Sequence, residues 1–323
     1  MITPTQSFRF TRRDFLKSSS FLLGTAAVSG ALSEVLFAQD DSARIDALRK
    51  QISGTIEVTK VSGNVSVLYG AGGNIAILIG PEGKFIVDSG VATSTIAVLQ
   101  AINQIDALPL KYLINTHWHF DHTDGNAKFH EAGAAIVATD KTRQRLSSPQ
   151  YVDALQLHFP SPAPAALPSR TLSDAFTFYH GGEEILLQAL PPAHTDTDLF
   201  VYFHHADVLH AGDVFFNGAY PLIDYSTGGS ANGYVDAMSK LIAKAKDSTR
   251  IIPGHGPVGS KADLIAAHDM LSTVRDRVAA AKKSGKSAEE IVASKPSVEF
   301  DAKYGKGLLK PDLFVTILYK SLG

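Results

Sequence analysis

Cysteine is absent from all 323 residues, which removes disulfides, thiolate metal ligands, a thiol nucleophile and a lipid-modified cysteine together. Any metal must therefore be held by nitrogen and oxygen. An excess of one charge is missing too: 30 Lys and Arg against 32 Asp and Glu leave a formal net charge of -2, with both signs dispersed. Such a chain has no basic face to follow phosphates and no polybasic run for anionic lipid, so no nucleic acid partner is expected. Nor does any apolar run approach the roughly 20 residues that a membrane-spanning helix needs. What remains is ordinary: 45% hydrophobic and 19% charged residues describe a globular chain able to bury a sizeable core.

The first forty residues read as an address. Thr11, Arg12, Arg13, Asp14, Phe15, Leu16 and Lys17 precede an apolar stretch over residues 21–31 broken by serine and glycine, followed by Phe37, Ala38 and Gln39. This resembles a twin-arginine signal peptide covering residues 1–38, with Ala38 at the cleavage position. The resemblance implies export of the folded precursor by the twin-arginine machinery, a periplasmic or secreted location, and no stable membrane association after cleavage.

Residues 39–55 are read as a linker or helix. From 56 to 87 apolar and polar residues alternate or run apolar between glycine-rich breaks, which predicts a meander of short strands. Spacing then predicts a helix over 93–105, a strand over 111–115, a helix over 126–132 and a strand over 134–138. Residues 147–172, rich in proline, serine and alanine, are expected to form a long loop or lid. Strands follow at 176–179, 185–189, 199–203 and 208–210, then a helix over 234–245 and a strand over 250–252. Two successive β-then-α halves predict an α/β domain over 56–260, with two sheets face to face and helices outside. Residues 261–323 are expected to add a helical extension on the same core. It contains a helix over 262–283, a capping box from Ser287 to Glu290, and a terminal helix docked through Leu308, Leu309, Leu313, Phe314, Ile317 and Leu318.

The chemistry concentrates in Thr116, His117, Trp118, His119, Phe120, Asp121 and His122, just after the apolar strand. In an extended chain His117 and His119 project to one side, and a turn at Asp121 can aim Asp121 and His122 at a second point nearby. Imidazole and carboxylate donors suit zinc, iron or manganese, and without thiolates an open, catalytic site fits better than a closed structural one. The other histidines, His130, His158, His180, His204, His205, His210 and His268, lack such context and are read as structural or exposed. His158 lies in the loop that could cover the site.

Residues 117–122 match in full the HxHxDH signature of the metallo-β-lactamase superfamily, which the chain resembles over roughly 56–257. The match continues through His194 in Pro-Pro-Ala-His-Thr, Asp213 in Ala-Gly-Asp and His255 in Pro-Gly-His-Gly. The resemblance implies an αββα sandwich of two mixed β-sheets with outer helices. It also implies two divalent metals, zinc in the first instance: His117, His119 and His194 on one, Asp121, His122 and His255 on the other, and Asp213 between them. Asp88, in Val-Asp-Ser-Gly, corresponds to the buried aspartate that supports the metal loop from behind.

That likeness implies hydrolysis of a small molecule by an activated water, with Asp121 able to accept and return a proton. The carboxylate at position 213 differs from the cysteine or serine typical of true metallo-β-lactamases and resembles glyoxalase II-like and lactonase-like members. A carboxylic ester, lactone or β-lactam is the first expectation for the scissile bond. The alternatives are a phosphoester on the same site, or an iron-loaded redox or binding role.

Overall fold

The computed structural model describes residues 30–322, with side chains from Asp41 onward. The arginine pair and the apolar leader of the expected signal lie outside the described residues, as does the side chain of Ala38. Helix α1 (Gly30–Ile52) opens the described chain, and its residues from Asp41 onward belong to one compact unit with everything that follows. No helix among the described residues is long and apolar enough to cross a membrane.

Alternation builds the first sheet. β1 (Ser53–Ser62), β2 (Val65–Ala71), β3 (Ile75–Gly80) and β4 (Gly83–Val87) pair antiparallel as a meander. β5 (Leu110–Ile114) and β6 (Ala135–Thr139) add in parallel. β7 (Gln150–Val152) and β8 (Leu157–Phe159) stand apart as a hairpin, and β9 (Arg170–Leu172) closes the seven-stranded sheet beside β6. The second sheet has the order β10 (Ala175–His180), β11 (Glu183–Ala189), β12 (Leu199–Phe203), β13 (Val208–His210), β14 (Arg250–Ile252), antiparallel except for its last pair.

Period-two patterning then decides the layers. Val67, Leu78, Phe85 and Val87 of the first sheet meet Leu187, Leu199, Val201 and Phe203 of the second in one buried cluster. Phe85 contacts Phe178 and Phe203 edge-on, with centroids 5.5 and 6.1 Å apart. The alternate residues Ile75, Ile77, Ile86 and Leu113 face outward onto Val98 and Ile102 of α2 (Thr95–Ile105). On the far side Phe200, Tyr202 and Leu209 pack against α6 (Ala231–Lys244) and α7 (Lys261–Lys283). The short helices α3 (Phe120–Thr123), α4 (Asn126–Glu131) and α5 (Asp140–Leu146) lie between strands of the first half. The capping box at Ser287 forms as expected and starts α8 (Ala288–Ala293), and α9 (Asp301–Tyr304) and α10 (Pro311–Ser321) complete the chain. The result is the expected αββα sandwich.

Four details differ from the sequence reading. β1 starts at Ser53, which pairs with Ala71, three residues before the expected meander. Residues 147–172 are not one loop. Their prolines flank the hairpin rather than interrupt it, and Val152, Leu157 and Phe159 bury against Ile45, Trp118 and Leu146. Residues 116–118 bend instead of extending, so strand alternation is not what aims His117 and His119. Finally, Leu309, Phe314, Ile317 and Leu318 are buried as expected, but Leu308 and Leu313 remain 58% and 39% exposed. Leu308 precedes α10 and sits at a cavity mouth rather than on the helix's docking face.

Candidate metal centre

The seven residues singled out from the sequence converge beyond the C-terminal ends of β5, β13 and β14 and on the loop between β11 and β12. Asp88 organises the first of these segments. It follows β4 in a left-handed conformation (φ 65°) and is fully buried. Its Oδ1 accepts the Thr116 backbone N–H at 2.8 Å, and its Oδ2 accepts Thr116 Oγ1 and His122 Nδ1, each at 2.8 Å. One carboxylate thus bends the chain after β5 and orients a ring at its far end. Two glycines make room for the donors: a Cβ on Gly73 would come within 2.2 Å of the His122 ring, and one on Gly254 within 1.9 Å of Asp213 Oδ1.

The hydrogen bonds fix which ring nitrogens face inward. His122 gives its Nδ1 proton to Asp88, leaving Nε2 as the free donor atom. His119 directs Nε2 to Asp224 Oδ2 at 3.0 Å, which leaves Nδ1. His194 donates Nδ1–H to the Leu222 carbonyl at 2.8 Å, and His117 places Nδ1 3.0 Å from Thr116 Oγ1; both keep Nε2. Because the Thr116 hydroxyl proton is already given to Asp88, that oxygen serves His117 as acceptor.

As a consequence, lone pairs point at one another. His119 Nδ1 and His194 Nε2 lie 2.8 Å apart, each with its proton-bearing nitrogen committed elsewhere. His117 Nε2, His122 Nε2 and Asp213 Oδ1 are buried without a hydrogen-bond partner. Orphaned acceptors converging in a buried site are costly unless a cation lies among them. The donors fall into two groups, His117, His119, His194 and Asp213, and Asp121, His122 and His255, each with ligand atoms within 4.8 Å of one another. Asp213 reaches both: its Oδ2 is 3.5 Å from His194 Nε2 and 3.3 Å from His255 Nε2, and its Oδ1 is 3.0 Å from His122 Nε2. The residues present therefore fit metal ions, and the all-nitrogen and oxygen set suits zinc, iron or manganese.

Electrostatics agree with this geometry. Burial holds His194 down at about 4, against the pull of Asp213, and drives His117 well below the ordinary histidine value. Burial also opposes the charge on His255, but Asp213 and Asp121 outweigh it and raise that ring to about 9. Asp121, which burial would raise, is brought to about 2 by His122 and His255. Metal-free, Asp121 and Asp213 stay ionised and His255 carries a proton that an arriving cation would release.

Several supports of the centre carry no signature in the sequence. Asp224 is buried, accepts from His119 Nε2 and Thr227 Oγ1 (2.5 Å), and also accepts from Ser226 Oγ. These bonds outweigh burial and hold its carboxyl at about 2. Asp198 clamps Thr195 beside His194, with Oδ2 on the backbone N–H at 3.0 Å and Oδ1 on the hydroxyl at 2.7 Å; burial lifts its carboxyl to about 7. Tyr234 donates its hydroxyl to the Asp213 carbonyl. No spacing rule links these positions to the histidines; only the two-residue step from the Leu222 carbonyl to Asp224, which touch His194 and His119, hints at one supporting turn. Of the other histidines, His210 is buried and structural, bridging Asn74 O and Gly212 N, while His158 is exposed and binds Asp41.

Asp224→Asn tests the support for His119. The amide can present its oxygen or its NH2 to His119 Nε2, and the second choice forces the ring proton onto Nδ1, the inward atom. Metal affinity is expected to fall about 10- to 100-fold, read by competition with a chromogenic chelator, with the circular dichroism spectrum unchanged.

A two-sheet sandwich with outer helices, carrying a histidine and aspartate cluster beyond its strand ends, defines a metal-binding α/β protein. The chain belongs to the metallo-beta-lactamase superfamily, whose sequence model matches residues 68–255. Metallo-beta-lactamase IND-1 of Chryseobacterium indologenes is 23% identical over 159 residues, 49% of this chain and 61% of that protein, so this chain spans about three fifths of that relative. A probable metallo-hydrolase of Methanocaldococcus jannaschii is 23% identical over 198 residues, 60% of this chain and 92% of that one. Among solved structures, a metallo-beta-lactamase from Pontibacter korlensis superposes with a TM-score of 0.57 at 22% identity, covering 67% of this chain and 99% of its own. The sec-alkylsulfatase Pisa1 from Pseudomonas sp. superposes with a TM-score of 0.63 at 18% identity, covering 82% of this chain and half (50%) of its own. At these identities the structures show a common fold.

Proposed function

We propose that this protein is an exported hydrolase with two zinc ions that cleaves a carboxylic ester, lactone or β-lactam bond. The observation that carries the reading is the pair of opposed lone pairs on His119 Nδ1 and His194 Nε2, 2.8 Å apart, with three further buried donor atoms lacking any partner. His117, His119 and His194 would hold one ion and Asp121, His122 and His255 the other. Asp213, whose oxygens reach both groups, would join them. Bound ions supply Lewis acidity and bring the pKa of a water they hold toward neutrality. Asp121 lines the cavity beside the centre, and its Oδ2, 3.2 Å from His255 Nε2, can take a proton from the attacking water and return it to the leaving group. Asp88 and Asp224 hold the rings of His122 and His119 so that the donor atoms do not reorganise during the reaction.

Metal-loaded protein is to be assayed on a panel of ester, lactone, β-lactam, thioester and phosphodiester substrates before and after chelation. Turnover of a carboxylic acid derivative that disappears with chelator and returns with zinc is the expected result. Turnover of a phosphodiester alone would replace the carbonyl reading by a phosphoesterase, and chelator-insensitive turnover would remove the metals from the account.

Export rests on Arg12 and Arg13, which the receptor reads as paired guanidinium groups. Changing both to lysine is expected to keep the precursor in the cytoplasm when the protein is produced in its own cell type and fractionated. Normal accumulation outside the cytoplasm would contradict the signal.

A further inference from the structure

The cavity that touches the donor set measures about 250 Å³, and three segments distant in sequence wall it. Leu48 and Ile52 come from α1, Leu155 and Phe159 from the β7–β8 hairpin, and Leu308 and Leu309 from the approach to α10. His119, Asp121, Asp213 and His255 line the same space. Among the described residues that line it there is no lysine or arginine. Tyr220, the one tyrosine in the wall, spends its hydroxyl on Asp301 Oδ1 at 2.7 Å.

Polar ties outside the cavity hold these walls. Asp41 Oδ2 accepts the backbone N–H of His158 at 3.0 Å and its Nδ1–H at 2.8 Å, and Arg44 Nη1 donates to the Gln156 carbonyl at 2.9 Å, so α1 is fastened to the hairpin. Arg49 grips Asp124, two residues past His122, through Nε at 2.7 Å and Nη2 at 3.1 Å. The apolar side chains are thus presented to the cavity by a braced frame.

Away from the donor set, a substrate's anionic group would find no lysine or arginine here to offset its lost hydration, whereas a hydrocarbon chain would bury against leucine, isoleucine and phenylalanine. We propose that the cavity seats the apolar chain of an uncharged ester or lactone, with its carbonyl at the donor set, so that selectivity is set by chain length. This rests on the hydrolytic reading above. The exposed Leu308 at the mouth is then a side chain that substrate covers.

The test separates seating of the chain from hydrolysis. Binding of neutral 2-alkanones of four to ten carbons to the metal-loaded protein is measured by calorimetry, and kcat/KM is measured for 4-nitrophenyl esters from acetate to octanoate. Affinity is expected to rise about three- to fourfold per methylene until the cavity is filled, with kcat/KM following. Leu308→Asp, at an exposed position that folding tolerates, and Leu48→Ala should each flatten both series, with the thermal midpoint as a control for folding. Alkanone affinity independent of chain length would overturn the proposal whatever the esters do. Rising alkanone affinity without ester turnover would support the seating of the chain and count against the hydrolytic reading for these bonds.

Discussion

His119→Ala is expected to lower turnover by on the order of a thousandfold or more, because it removes one of three imidazoles from a group that has no spare donor. The neighbouring ligands cannot compensate. His117 and His194 already present their Nε2 atoms, and their other nitrogens are fixed by Thr116 and the Leu222 carbonyl. Folding should suffer far less than activity. Asp224 loses one bond but keeps those from Ser226 and Thr227, and removal of His119 also relieves the contact between lone pairs opposite His194. Measured in chelator, the thermal midpoint should shift by no more than about 4 °C, the upper end expected for roughly 1 kcal/mol in a domain of this size. A large drop in the metal-free midpoint with turnover within tenfold of the parent would mean that His119 serves packing and not a metal.

The second large effect is expected at Asp88. All three groups around its carboxylate are donors: the Thr116 N–H, the Thr116 hydroxyl and His122 Nδ1–H. Asparagine tolerates the left-handed backbone, so Asp88→Asn keeps the local conformation and changes only the hydrogen-bond inventory. An amide oxygen facing His122 leaves the NH2 opposed to a buried backbone N–H; the flipped amide pushes the His122 proton onto Nε2, where a metal should bind. Either orientation leaves one bond broken. Metal affinity should fall about 10- to 100-fold and folding stability by about 1–3 kcal/mol. Calorimetry and chelator competition read the two separately. Unchanged metal affinity would show that His122 does not need its tautomer fixed.

Much of this centre is legible in the sequence because its donors follow short turns after strands. His117 to His122, Asp213 and His255 each lie within a few residues of an apolar β-strand, and strand ends are where the local chain can aim side chains at a common point. Geometry nonetheless differs from the simple expectation. Alternation would place His117 and His119 alike, yet the chain bends at 116–118 and the two rings present different nitrogens, Nε2 and Nδ1. Periodicity predicted the strands of the meander, whereas which residues face which layer, Val67, Leu78 and Phe85 on one side and Ile75, Ile77 and Ile86 on the other, is seen only in the structure. It failed where elements are short. The β7–β8 hairpin has three residues a side, too few to show alternation against a proline-rich background. Asp224 and the apolar cavity were invisible for a different reason: their roles depend on contacts between segments far apart in the chain, 105 residues in the bond from His119 to Asp224 and more between Leu48 and Leu309.

The central claim, that seven side chains form one centre for two metals, is tested most directly by metal content. Protein purified without added chelator and the His255→Ala variant are to be compared by plasma mass spectrometry at known protein concentration. His255 Nε2 lies 3.2 Å from Asp121 and 3.3 Å from Asp213 and belongs to the donor group of Asp121 and His122. The parent should therefore carry close to two metals per chain, and the variant should fall toward one while His117, His119 and His194 retain theirs. Two metals in the variant, or a single metal in a fully active parent, would contradict the dinuclear centre.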